Sequence, residues 1–314
     1  NNDSVITTNN SIEILEDGEA IFLSITQLLE TAKEHIHLDF YKIEQGKLWD
    51  KILEILLRKV QEGVNVRIIY DDVGSWGIKN SYAKKLRKKG LEIESFMPVF
   101  LPRFANKLNY RNHRKIVIVD GKSSIIGGFN IADYYIDGLP KIGSWHDIAI
   151  KIQGNATHSL QKIFLLDWGF VKQSSLNFTK QYFPFIQTQD SITGTQIIKS
   201  GPDSDWSTIM LAFFSAINSC NEYVYLSTPY FLPNESILTA LKTVALSGRK
   251  VKLVIPRKGD SKIVSLATHS YIKELLEANI EVYLFNKGFN HGKFIIVDGR
   301  MCSIGTANID IRSF

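Results

Sequence analysis

The sequence predicts an α/β protein made of two repeated halves, each a mixed β-sheet flanked by helices, packed together with an active site at their interface. Three observations carry this expectation. Segments of strand and helix character alternate along the chain, which implies sheets with helices on their faces. The same order of segments is replayed in the second half. A polar pattern also occurs twice, His113-x-Lys115-x-x-x-x-Asp120 followed by Asn130, and His291-x-Lys293-x-x-x-x-Asp298 followed by Asn308, with every member displaced by 178 residues from its counterpart.

In the first half, residues 22–33 have helical period, 35–41 alternate as a strand, 48–61 form an amphipathic helix and 64–70 a strand. A helix over 81–89 and a strand over 91–96 follow. The second half gives helix 206–219, strand 222–227, helix 236–247, strand 250–255, helix 262–278 and strand 280–285. The stretch from Val171 to Gln196 is rich in Ser, Thr, Gln and aromatic residues and lacks a sustained period, so it is expected to connect the halves. A boundary near residue 175 gives a first half of residues 1–175 and a second of residues 176–314, the latter expected to be truncated at its C-terminus.

At 314 residues the chain is long enough for two domains or for one large duplicated unit, which the repeat favours; its 44% hydrophobic and 22% charged residues are those of a folded soluble protein, and no apolar run reaches the roughly 20 residues needed to cross a bilayer. The longest run, Ile209 to Ile217, is expected to be a buried helix. Cys220 and Cys302 are the only cysteines, which fits a reducing compartment and argues against thiolate metal sites. The start, Asn1-Asn2-Asp3-Ser4, lacks the features of a signal peptide, and the end stops within a patterned segment, so native sequence is expected beyond both ends. A net charge of +5 suits an anionic partner, either nucleic acid or a lipid surface.

The repeated motif has its own chemistry. On a strand, residues i and i+2 share a face, so His113 would stand beside Lys115 and His291 beside Lys293. The runs 116–119 and 294–297 are expected to be strands buried on both faces, each ending in an Asp-Gly turn. Asp120 and Asp298 are thus either turn residues or carboxylates that orient an imidazole. Two His, two Lys and two Asn brought together suit transfer at phosphorus: one neutral imidazole attacks, the other, protonated, donates to the departing oxygen, and Lys and Asn hold the non-bridging oxygens. No cofactor is required by this chemistry. A metal site is not expected, because each His has a cationic Lys two residues away and no H-x-H or H-E-x-x-H occurs.

At these residues the chain resembles the phospholipase D superfamily, whose signature is H-x-K-x4-D with a downstream Gly-rich turn and Asn. Within it the chain is similar to bacterial cardiolipin synthases, through Asn109 to Lys115, Gly127 to Ile131, Leu166-Asp167-Trp168, Ser200 to Asp203, Thr228 to Ser236 and Asn308 to Phe314. The resemblance implies transfer of a phosphatidyl group from one phosphatidylglycerol to another through a phosphohistidine, with glycerol released, His113 as nucleophile and His291 as acid and base. It also implies action at the bacterial cell membrane, with the catalytic part facing the cytoplasm and no nucleic-acid partner, although the N-terminal membrane-spanning helices usual in the family are absent from this sequence. Where the family has Trp-Arg-Asp, this chain has Trp145-His146-Asp147, which leaves Asp147 able to orient a catalytic His. A second such acid is expected in sequence beyond Phe314.

The apolar, proline-broken stretch Phe96 to Phe104 is either a lipid-admitting loop or a loop packed on its own core, with the Lys84 to Lys89 cluster reading anionic headgroups or forming a solvated face. Tyr230, after the end of a strand in an α/β sheet, is a candidate pocket residue. His35, His37, His158 and His269 are assigned no function. Hydrolysis by a phospholipase D and cleavage of nucleic-acid phosphodiesters are the alternatives to phosphatidyl transfer.

Overall fold

The computed structural model describes residues 4–98, 111–174, 178–187, 193–200 and 207–310. The chain divides into two compact units that are discontinuous in sequence, residues 1–133 with 149–197, and residues 134–148 with 198–314. The single cut expected near residue 175 therefore differs from these units in two places. The segment Tyr134–Ile148 joins the second unit, and residues beyond 175, including the Thr195–Gln196 strand that pairs with Ile6–Thr7, stay with the first.

The first unit is organised on a seven-stranded sheet in the order Asn10–Leu15, Ala149–Gly154, Ser123–Gly127, Lys115–Val119, His35–Phe40, Asn65–Asp71, Glu92–Phe96. The last three strands run parallel, linked by helices Lys47–Gln61 and Asn80–Lys88, and the rest pair antiparallel. Helix Gly18–Glu30 starts where Asp17 accepts the amide of Ala20 at 2.7 Å, an N-cap that satisfies a donor the helix cannot. Helix Lys47–Gln61 buries Trp49, Ile52, Ile55 and Leu56, a spacing that lines one helical face. On one face of the sheet Ile116, Ile118 and Ile152 pack with Leu160, Phe164 and Trp168 of helix Ala156–Lys172.

The second unit has five strands in the order Glu281–Phe285, Lys250–Pro256, Tyr223–Ser227, Phe294–Val297, Met301–Ile304. Their neighbours and relative directions repeat five adjacent strands of the first unit. The two motif strands differ in burial. Lys115–Val119 is buried throughout, as expected, whereas Phe294–Val297 is only half-buried at alternate positions. In the first unit, helix Ala156–Lys172 covers the face that holds Ile116 and Ile118.

Two helices also depart from expectation. The segment 262–278 is two helices, Lys262–Ser270 and Ile272–Glu277, because the Tyr271 amide tightens onto the Thr268 carbonyl and the Tyr271 ring turns edge-on to Phe231 at 5.8 Å. Helix Thr208–Asn218 buries only Thr208, Ala216 and Ile217 and leaves Leu211 and Phe214 exposed, so its apolar run is not a buried core helix. No helix among the described residues is long and apolar enough to cross a membrane.

Candidate active site

Both motifs are built by the same local device. A strand ends at Val119 or Val297, and the next two residues turn the chain with positive φ, +53° and +63° at Asp120-Gly121 and +52° and +63° at Asp298-Gly299. With Lys122 and Arg300 donating back to the Val119 and Val297 carbonyls, these are the hairpin turns that favour Asp-Gly. Asp120 then accepts from the amides of Lys33, Glu34 and His35 at 3.0, 2.8 and 2.9 Å. Asp298 accepts from those of Asn221, Glu222 and Tyr223 at 2.7, 2.9 and 2.8 Å. These amide bonds, those to Tyr223 and Asn221 foremost, hold the Asp298 carboxyl down at about 2. Of the two roles open to these aspartates, the structure shows the turn: each carboxylate ties the motif hairpin to the start of the neighbouring strand.

At the other end of each motif strand the chain enters through Asn-His. Asn112 Oδ1 accepts the amide of Arg114 at 3.1 Å, and Asn290 Oδ1 that of Gly292 at 3.1 Å. Their side-chain amides donate to equivalent positions on the neighbouring strand, Asp39 at 2.8 Å and Ser227 at 2.8 Å. The signal was present in the sequence, since Asn precedes His in both copies, but these asparagines were assigned no role. The lysines then fold back: Lys115 Nζ donates to the His113 carbonyl and Lys293 Nζ to the His291 carbonyl, both at 2.6 Å. Each ammonium is thereby fixed against the backbone of its own histidine.

In the first unit, the Tyr41 ring lies against His113 at 4.2 Å, and Lys115 Nζ sits 5.0 Å from the same ring. The segment is further held by Arg114 on Asp167 at 2.5 Å and by the Asn112 amide on Asp71 at 3.2 Å. Burial raises the carboxyl of Asp39 well above its ordinary range, with the nearby Asp167 acting in the same direction. Asn130 is buried, one residue before the isolated bridge that pairs Ile131 with Ile43.

In the second unit, the segment Tyr134–Ile148 brings a carboxylate to the motif histidine. Trp145–His146 pairs in parallel with Phe289–Asn290, and the His291 amide donates to the His146 carbonyl at 2.7 Å. Close approach needs Gly288, at φ +115°, where a Cβ would lie 2.1 Å from the Ser144 carbonyl oxygen. This pairing brings buried Asp147 to His291, with Nδ1 donating to Oδ2 at 2.6 Å. A carboxylate on Nδ1 fixes the tautomer, places the reactive lone pair of the neutral ring on Nε2 and stabilises the imidazolium. Tyr135, Trp145 and Phe289 surround the imidazole, with ring centroids 6.3, 5.5 and 5.9 Å away.

Lys293 is buried, and that burial lowers its ammonium to about 8 against the opposing carboxylates of Asp147, Asp310 and Asp260. Tyr230 donates to Asp260 at 2.7 Å, and burial together with that carboxylate holds the phenol above its ordinary range. Asn308 Nδ2 donates to Asp310 Oδ2 at 3.2 Å, beside the pairing of Ile309–Asp310 with Phe231–Leu232. The second motif thus gathers His291, Lys293, Asn308, Asp147 and Tyr230, whereas Asp298 is taken up by backbone. The residues Val99 to Phe104 of the apolar stretch, and Ile311 to Phe314, lie outside the described residues.

A family model described as "Cardiolipin synthase, PLD-like domain" matches residues 25–168 and 213–314, one segment for each motif. Over its full length the chain is 41% identical to a cardiolipin synthase of Oceanobacillus iheyensis, covering 65% of that protein. It has the same identity and coverage with the major cardiolipin synthase ClsA of Bacillus subtilis. A Geobacillus thermodenitrificans cardiolipin synthase is 43% identical over 96% of the chain and 60% of its own length. The chain therefore spans under two thirds of the length of these relatives. Among solved structures, phosphatidylserine synthase of Haemophilus influenzae shares the fold with a TM-score of 0.69 at 15% identity, covering 96% of this chain and 79% of that one. With both motifs inside the matched segments, the chain belongs to the phospholipase D-like family of cardiolipin synthases.

Proposed function

We propose that the chain is the catalytic part of a cardiolipin synthase, a phosphatidyltransferase that joins two phosphatidylglycerol molecules. The observation that carries this reading is the Asp147–His291 pair beside buried Lys293, an acid–base histidine next to a cation suited to a phosphate. The names of the relatives favour cardiolipin as the product, and with it phospholipid substrates.

In this mechanism His113 Nε2 attacks phosphorus, and the P–O bond to the headgroup glycerol breaks. The His291 imidazolium, stabilised by Asp147, gives its Nε2 proton to the departing glycerol oxygen. The neutral ring then takes the proton from a hydroxyl of the second phosphatidylglycerol. That oxygen attacks the phosphohistidine, cardiolipin leaves, and His113 is regenerated. Lys115, Lys293, Asn130 and Asn308 hold the non-bridging oxygens as charge builds on them, and Tyr230 borders the headgroup side. Neither a metal nor an organic cofactor enters these steps.

The test is mass spectrometry of the lipids formed from phosphatidylglycerol vesicles. Cardiolipin with released glycerol is expected. Phosphatidic acid in its place would make the protein a hydrolytic phospholipase D, in which water intercepts the same intermediate. Replacing His113 or His291 by Ala should abolish turnover, and substantial activity left in either variant would overturn the two-histidine scheme.

A further inference from the structure

Helix Lys262–Ser270 is built the wrong way round for a helix facing water. Its only buried residue is Thr268, while Ile263 and Leu266, one helical turn apart, are 80% and 72% exposed. Large apolar side chains at i and i+3 form a stripe that a helix ordinarily turns toward a core. Around the start of this helix stand Arg257, Lys258 and Lys262, all exposed and none ion-paired among the described residues. The helix follows the C-terminal end of strand Lys250–Pro256, close to Asp260, which faces Tyr230 and influences Lys293.

The repeat supplies an independent second case. At the equivalent place in the first unit, just after strand Asn65–Asp71, Trp76 is 78% exposed and is followed by the strongly basic helix Asn80–Lys88. Two units that share few side chains at this place both expose large apolar groups close in sequence to exposed cations. Ordinary surface drift does not favour that coincidence.

We infer that Ile263 and Leu266 enter the interfacial layer of an anionic phospholipid bilayer, with Arg257, Lys258 and Lys262 on its headgroups, and that Trp76 does the same for the first unit. The chemistry selects this occupant: apolar side chains seek the acyl boundary, adjacent cations seek anionic headgroups, and a Trp ring suits the level between them. A protein partner with an acidic rim is the alternative occupant. The choice of a phosphatidylglycerol surface rests on the function proposed above.

Vesicle co-sedimentation tests the inference without requiring turnover. The wild-type chain is expected to bind vesicles of phosphatidylglycerol and phosphatidylcholine, in a salt-sensitive way, and to bind pure phosphatidylcholine far more weakly. Ile263→Glu with Leu266→Glu should weaken binding about tenfold or more, at an unchanged melting temperature. Arg257→Ser with Lys258→Ser and Lys262→Ser, which leaves the apolar stripe intact, should flatten the salt dependence. The double variant should keep its activity on short-chain phosphatidylglycerol below its micelle concentration while losing it on vesicles. Wild-type binding by both variants, or equal binding to neutral and anionic vesicles, would overturn the inference. Variant-sensitive binding without any lipid product would support it while removing the proposed function.

Discussion

Asp147 holds one nitrogen of His291 and so determines the protonation of the other. Asp147→Asn keeps the volume but offers no negative charge to the imidazolium, so kcat should fall by about 10²–10⁴ with little change in KM, and the alkaline-side inflection set by the His291 imidazolium should move to lower pH. A pH–rate profile reads both effects, and an unchanged profile would leave Asp147 with no part in catalysis. Lys293 makes a prediction with two opposite signs. Its ammonium, lowered to about 8, is charged at neutral pH and is lost as pH rises, so turnover should decline above pH 8. Lys293→Arg, which stays charged, should push that decline to higher pH. Stability should move the other way. Between about 8 and the ordinary lysine value of 10.5 the unfolded lysine binds its proton and the folded one does not, so the folded state gains stability as pH rises through that window. Melting temperatures of the wild type against Lys293→Met across this range show whether the gain belongs to Lys293.

At the scale of the element, the hairpin and its aspartate act as one piece. Asp120→Ala would strip the acceptor from three amides of residues 33–35 and should cost about 3 kcal/mol, read as a lower midpoint in urea unfolding. The fraction that remains folded should keep its kcat, because this carboxylate bonds to backbone, and a large loss of kcat in fully folded protein would restore a catalytic role. Asp298 adds a pH dependence of known sign. Its carboxyl is depressed from 3.8 to about 2, so its contribution is present above about pH 4 and is lost as pH falls toward 2. The Asp-Gly turns were legible because that pair requires positive φ at both places. Their long-range partners were not, since the amides that Asp120 meets lie 85 to 87 residues away and leave no local pattern. Most helices and central strands were legible because each has a period. Strand Asn10–Leu15 was not, because it exposes Ile12 and Ile14 at an edge, and the Trp145–His146 pairing was not, because two residues have no period. Asp147 was found only as a residue able to orient a histidine, and its partner came from the fold.

For the whole molecule, the consequence is a chain that cannot be divided where its repeat divides. The two motifs sit symmetrically in sequence, so by symmetry alone a cut between residues 175 and 176 would yield two self-sufficient halves. The compact units contradict that symmetry: the second takes Tyr134–Ile148, and the first keeps residues up to 197. A fragment of residues 176–314 would lack the strand that pairs with Phe289–Asn290, the carboxylate on His291, and the Trp145 ring packed 4.4 Å from Phe289. Phe289 is fully buried, and losing one side of its packing exposes an aromatic that the rest of the unit cannot cover. The fragment 1–175 would lose the strand paired with Ile6–Thr7 and the Tyr182 hydroxyl that accepts from Arg67 at 2.8 Å. Expressed separately, the two fragments should give poorly dispersed amide spectra and rapid hydrogen exchange, the second more severely than the first. Moving the break into 201–206 keeps the Ile6–Thr7 pairing within the first piece but still separates Trp145–His146 from Phe289–Asn290, so the first piece should then fold while the second remains loose around His291. Well-dispersed spectra and slow exchange from an isolated 176–314 fragment would mean that the borrowed segment serves the chemistry of His291 and contributes little to the stability of the unit around it.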